Sequence, residues 1–136
     1  MGKLCVYTGN TWQVPGETVE LLCSQIVSTG HVMITDTTTN QSCTKVTTTI
    51  STDVIGVIAW ASKPSATQAY VTVATHGIWS VGVTAGNYTR GEYLASDSSG
   101  WGYEKSTISN TFGFIWETKT TAANGELLSA LIRSID

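Results

Sequence analysis

Between Asp53 and Gly86 the chain reads DVIGVIAWASKPSATQAYVTVATHGIWSVGVTAG, and no other stretch restricts the possible folds as much. Three apolar runs, Val54 to Ala61, Tyr70 to Thr75 and Ile78 to Val83, consist largely of the β-branched and aromatic residues that suit a pleated, half-buried surface. Lys63, Pro64 and Ser65 separate the first two runs, because proline has no N–H to give to a central ladder. Gly77 separates the second and third, where it allows a turn or a bulge. The expected local structure is an antiparallel meander.

The flanking sequence extends the same theme. His31 to Thr35 reads as a strand with both faces covered, and Thr37 to Asn40 followed by Lys45 to Ile50 reads as a polar hairpin. Further strands are expected near Tyr93, at Trp101 to Glu104, at Phe112 to Glu117 and at Glu126 to Ile132, the last introduced by the turn signal Asn124-Gly125. Glu17 to Leu22 suits a strand or a short helical turn equally. No segment keeps a helical period, so the fold is expected to be all-β. Met1 to Gln13 shows no sustained period of either kind and reads as an N-terminal arm preceding one domain over residues 14–136; an edge strand of that domain is the alternative.

An internal echo runs through this order. Gly30, an apolar strand and Asp36 match Gly91, Tyr93, Leu94 and Asp97 at the same spacing. Val54 to Trp60 parallels Thr111 to Trp116, and Tyr70-Val71-Thr72-Val73 parallels Leu127-Leu128-Ser129-Ala130. Two such units closing on each other form a small barrel or sandwich with few free edges. Gly56 and Gly113 then mark a bulge or a close backbone crossing.

Composition narrows the function. The 136 residues suit one domain, and charged residues are only 12% of them, about half the usual share. The surface must therefore be largely hydroxyl and amide. A net charge of -3 offers no basic field to a phosphate backbone, so nucleic acid is not an expected partner. No apolar run has the length of a membrane helix and no leader pattern opens the chain, so no membrane association and synthesis in the cytoplasm are expected. Cys5, Cys23 and Cys43 form no CxxC pair, which speaks against a zinc site or a disulfide framework.

The sequence holds no sign of catalysis. GxSxG, a Walker-type loop and HExxH are absent; His31 and His76 are the only histidines, and His76 has no carboxylate or cysteine neighbour in sequence that would make it a general base or a ligand. Asp53, Asp97, Glu92 and Glu117 have no fixed separation that would pair them as glycosidase carboxylates. No catalytic, cofactor-binding or metal-binding residue is assigned, and the chain is expected not to be an enzyme. Five tryptophans remain. Trp60 and Trp116 end corresponding strands and read as structural, whereas Trp12, Trp79 and Trp101 lie in turn-rich or glycine-flanked places that suit contacts with another chain; Trp79 suits the core equally.

The runs DVIGVIAWA, AYVTVATHGIWSV, TAGNYTRGEYLASDSSG, NTFGFIWET and NGELLSALI together resemble the small capsid decoration, or cement, proteins of tailed bacteriophages. The resemblance covers roughly Pro15 to Arg133, with Gly56, Gly77, Gly86, Gly91, Gly113 and Gly125 at the matching turns. Glu92 stands where the family often has aspartate, and the arm and the polar hairpin are longer than in its shortest members. The resemblance implies a β-tulip-like antiparallel barrel or sandwich, made in the host cytoplasm, that joins the virion. There it would sit as a homotrimer on the outer capsid surface and bridge subunits of the major capsid protein. Position in the chain suggests Leu4, Val6, Tyr7 and Trp12 for the capsid-facing arm and Ile78, Trp79 and Tyr88 for contacts between protomers. The alternative is a carbohydrate-binding module displayed on the virion, with Trp79 and Trp101 stacking on a surface glycan.

Overall fold

A computed structural model of the chain describes residues 6–8, 11–60 and 65–135. Among them the chain is all-β, with no helix. The first half contributes β1 (Val6–Thr8), β2 (Thr11–Cys23), β3 (Val32–Thr35), β4 (Cys43–Lys45) and β5 (Val54–Ile58). β6 (Ala69–Val83) follows, then β7 (Gly86–Tyr88), β8 (Tyr93–Ser96), β9 (Gly102–Lys105), β10 (Gly113–Ile115), β11 (Lys119–Ala122) and β12 (Glu126–Ile132).

The expected meander does not form, because β6 passes through Gly77 without reversing and makes one strand of 15 residues. Gly77 has a φ of +112°, and a Cβ there would lie 2.8 Å from the Gly16 nitrogen. Here β2 bulges between Pro15 and Thr18 as it pairs antiparallel with β6. The glycine therefore serves a close crossing of two long strands, which a side chain would block.

β6 is the spine of the molecule. Its C-terminal half pairs with β12 along Glu126↔Val83 to Ile132↔Gly77, and β12, β10, β8, β9 and β6 close into a five-stranded barrel. The barrel is mixed, since Val83 and Gly102 join β6 to β9 in parallel. The N-terminal half of β6 pairs with β2 on one side and, through Ala74↔Val57 and Val73↔Ile58, with β5 on the other. β5 continues to β3 and β3 to β4, while a lone parallel bridge, Leu22↔Ser42, links the β4 end back to β2. β7 and β11 form a separate two-stranded ribbon.

The internal echo is realised residue by residue. Val32↔Val57 and Met33↔Gly56 in the first unit correspond to Tyr93↔Phe114 and Leu94↔Gly113 in the second. Thr35↔Cys43 corresponds likewise to Ser96↔Gly102. The connecting backbone repeats too. Gly30 N–H donates to the Ile58 carbonyl at 2.9 Å and Gly91 N–H to the Ile115 carbonyl at 3.0 Å; Ala59 N–H donates to Thr72 at 2.9 Å and Trp116 N–H to Ser129 at 3.0 Å. Asp36 accepts from the Thr38 hydroxyl at 2.8 Å, as Asp97 accepts from the backbone N–H of Ser99 at 2.8 Å. The two units do not close on each other as facing layers. Each curls on itself, and both share β6.

Two cores follow from this arrangement. Cys23, Val27, Met33, Cys43, Ile58, Val71 and Val73 fill the first unit. Their counterparts Val83, Tyr88, Leu94, Ile115, Leu128 and Ala130 belong to the larger cluster, together with residues such as Val32, Val57, Ala74 and Trp79. Val71 to Ala74 are consecutive and all buried, so both faces of β6 are covered there. Removing such surfaces from water contributes about 25 cal/mol per Å² of apolar area.

Candidate functional site

The residues expected to meet other proteins fall into two groups. Leu4 lies outside the described residues. Val6 and Tyr7 are in β1 and Trp12 is in β2, where Tyr7 and Trp12 are register partners in an antiparallel hairpin. The expected irregular arm is thus a hairpin whose second strand runs on into the barrel sheet, across the boundary placed after Gln13. β1 pairs only with β2, and β2 meets β6 only from Val14 onward. Two strands without a third are marginally stable in water, so β1 adds little stability of its own.

The second group is corrected by burial. Trp79 is 1% exposed, and its indole N–H donates to the His76 carbonyl at 2.7 Å. Tyr88 is 2% exposed; its hydroxyl donates to the Thr84 carbonyl at 2.7 Å, and burial raises its pKa. Both are core residues of this chain and offer nothing to a second protomer. Of the three, only Ile78 keeps partial exposure. Trp79 is equally closed to a sugar ring.

Trp60 and Trp116, read from sequence as structural, are 54% and 44% exposed. They follow β5 and β10, whose last residues are buried, so each indole stands where its strand leaves the sheet. The register shows why sequence misled here: Trp116 corresponds to the buried Ala59, and Trp60 corresponds to Glu117. Tyr70, Ile26, Ile108 and Val19 add further exposed apolar surface. Single exposed apolar residues are common on any protein, but exposed tryptophan is the type most enriched at interfaces.

Trp101 lies at the junction of the two units. Its ring stacks on His31 with centroids 4.0 Å apart and 12° between planes, and it packs over the Cα of Gly82. Beside it, Val32 N–H donates to Gly100 and Gly82 N–H to Gly30, both at 2.9 Å. Burial and the nearby Lys45 ammonium lower the His31 pKa to about 4, so the ring is neutral at physiological pH. Ser28 N–H donates to its Nδ1 at 2.9 Å, which requires that nitrogen to be unprotonated. No pattern in the sequence signals this stack, because His31 and Trp101 belong to different units and meet only in the fold.

His76 is exposed and its Nδ1 lies 3.3 Å from the Glu17 carboxylate, while Glu117 holds backbone by accepting from Ser129 N–H at 2.8 Å. Among the described residues, no three histidine, cysteine or acidic side chains come together as a metal site. No helix there is long and apolar enough to cross a membrane.

The sequence matches no protein-family model and no curated protein. The fold is similar to a solved structure described as the crystal structure of head fiber gp8.5 N base in bacteriophage phi29. The TM-score is 0.61 at 14% identity, and the match covers 88% of this chain and 98% of that one. At this identity the likeness is one of fold: the chain has the β architecture of a phage head fiber base.

Proposed function

We propose that the chain is a non-enzymatic head decoration protein, which binds the outer surface of an assembled phage capsid as a homotrimer and bridges subunits of the major capsid protein. The observation that supports this most is the fold-level match to a head fiber base over nearly the whole of both chains. The resemblance of the strand and glycine order to capsid decoration proteins points the same way, as does a surface poor in charge and rich in hydroxyl groups.

The mechanism is preferential binding. A protein that binds the assembled shell but not its free subunits stabilises the shell by mass action. Contacts of ordinary strength suffice, because each trimer holds several subunits at once and dissociation requires all contacts to fail together. The β1–β2 hairpin, carrying Val6, Tyr7 and Trp12, is the element assigned to the capsid. With Trp79 and Tyr88 buried, contacts between protomers fall to Ile78 and to exposed aromatic residues such as Trp60 and Trp116.

Co-sedimentation tests the reading. The purified chain should pellet with expanded capsids and stay in solution with free capsid subunits, and light scattering should give the mass of three chains. A monomer that ignores capsids would refute it. Binding to a glycan array that is lost on Trp101→Ala would favour the carbohydrate-binding alternative.

A further inference from the structure

Cys23 and Cys43 occupy the place where the two units differ most in how they close. In the second unit Val83 and Gly102 are direct partners in the parallel pairing of β6 with β9. The corresponding positions in the first unit are Cys23, the last residue of β2, and Cys43, the first of β4. There the parallel contact shrinks to the bridge Leu22↔Ser42, with Leu22 N–H donating to the Gln41 carbonyl at 2.8 Å. Each cysteine directly follows a residue of that bridge, so the two backbones are neighbours. Strands paired in this way lie about 5 Å apart, within the Cα separation that a disulfide spans.

The side chains agree with the backbone. Both cysteines are free and 1% exposed, and both belong to the core cluster of Met33, Ile58 and Val71. Cys23 donates to the Gln25 carbonyl at 3.9 Å.

We propose that Cys23 and Cys43 are a disulfide-forming pair that locks the seam of the first unit when the protein meets an oxidising small-molecule disulfide. One cysteine, as thiolate, attacks the small disulfide and forms a mixed disulfide, releasing one small thiol. The other loses its proton and attacks the protein sulfur of that mixed bond, releasing the second small thiol. Two S–H bonds are exchanged for one protein S–S bond; the cysteines lose two electrons and the small disulfide gains them. Burial, with Cys23 alongside, pushes the Cys43 thiol up to about 12, so thiolate is scarce while the seam is shut. Oxidation therefore waits for the end of β2 to part from β4, at a seam held by one backbone bridge and by the Lys45 N–H donating to the Gln25 side-chain carbonyl at 2.7 Å.

The test uses the full chain. It is incubated with excess oxidised glutathione at mildly alkaline pH, with and without urea below the unfolding transition, then acid-quenched and digested without reductant. The expected result is a peptide joining Cys23 to Cys43, a loss of two hydrogen masses, faster reaction in urea and a rise in Tm of roughly 10 °C. Cys5→Ser should behave like the unaltered chain, and Cys43→Ala should lose the cross-link. The proposal is overturned if all thiols stay titratable after unfolding, if only mixed disulfides with glutathione accumulate, or if the cross-link joins Cys5.

Discussion

At the scale of single residues, the repeat allows controlled comparisons within one chain. Gly56 and Gly113 correspond, yet a Cβ at Gly56 would lie 1.9 Å from the Ala74 carbonyl oxygen, against 3.4 Å from Leu131 at Gly113. Gly56→Ala should cost roughly 3 kcal/mol in urea denaturation, through forced backbone movement, while Gly113→Ala should stay within about 1 kcal/mol. Trp79→Ala should lose about 3–5 kcal/mol, as expected for a filled core position, and should lower the denaturation midpoint rather than merely change oligomeric state. His31 gives a pH prediction. Its pKa falls from 6.5 in the unfolded chain to about 4 in the fold, so the unfolded state binds more protons between these values. Stability is full above about pH 6.5 and declines as pH falls toward 4. Asp36 and Glu126, both held low by hydrogen bonds to their carboxylates, lose their contributions as pH falls below their ordinary values of 3.8 and 4.5, so only Glu126 overlaps the acid end of the His31 window. Denaturation midpoints at pH values across the His31 window should therefore slope downward for the unaltered chain, and His31→Gln should remove most of that slope.

At the scale of elements, β3, β8, β10 and β12 are legible because each is a short apolar run bounded by turn residues, and the expected ends of β12 match; β9 (GYEK) is legible only from the Ser98-Ser99-Gly100 turn before it. Gly77 misled because one glycine signature serves both a reversal and a crossing, and only the partner strand distinguishes them. β7 and β11 were missed since Gly86–Tyr88 and Lys119–Ala122 carry no apolar alternation; they pair only with each other. For the interaction residues, sequence conveyed which side chains are large and aromatic but not which way they face. That direction is not fixed by the repeat: Trp116 and Ala59 occupy corresponding positions, yet one is exposed and the other buried. The N-terminal hairpin yields its own prediction. Deleting residues 1–13 should leave the denaturation transition of the barrel within about 1 kcal/mol, because pairing with β6 begins at Val14, and should sharply weaken co-sedimentation with capsids. Equal binding by the truncated chain would remove the hairpin from the capsid contact.

At the scale of the whole molecule, the duplication was the most informative thing legible in the sequence. The proposed alignment of Tyr70 to Val73 with Leu127 to Ala130 is the correspondence that the β-sheet registers give. What sequence could not convey was that β6 is shared, which requires knowing that its two halves are one strand. The result is two curled units on one spine, with aromatic side chains divided between core and surface. The proposed function assigns this body to holding capsid subunits together. A density map of the intact virion tests that directly. The expected result is three-lobed density over junctions between major capsid subunits, each lobe fitting this barrel with the hairpin directed at the shell. Virions whose outer surface is bare at every such junction would contradict it.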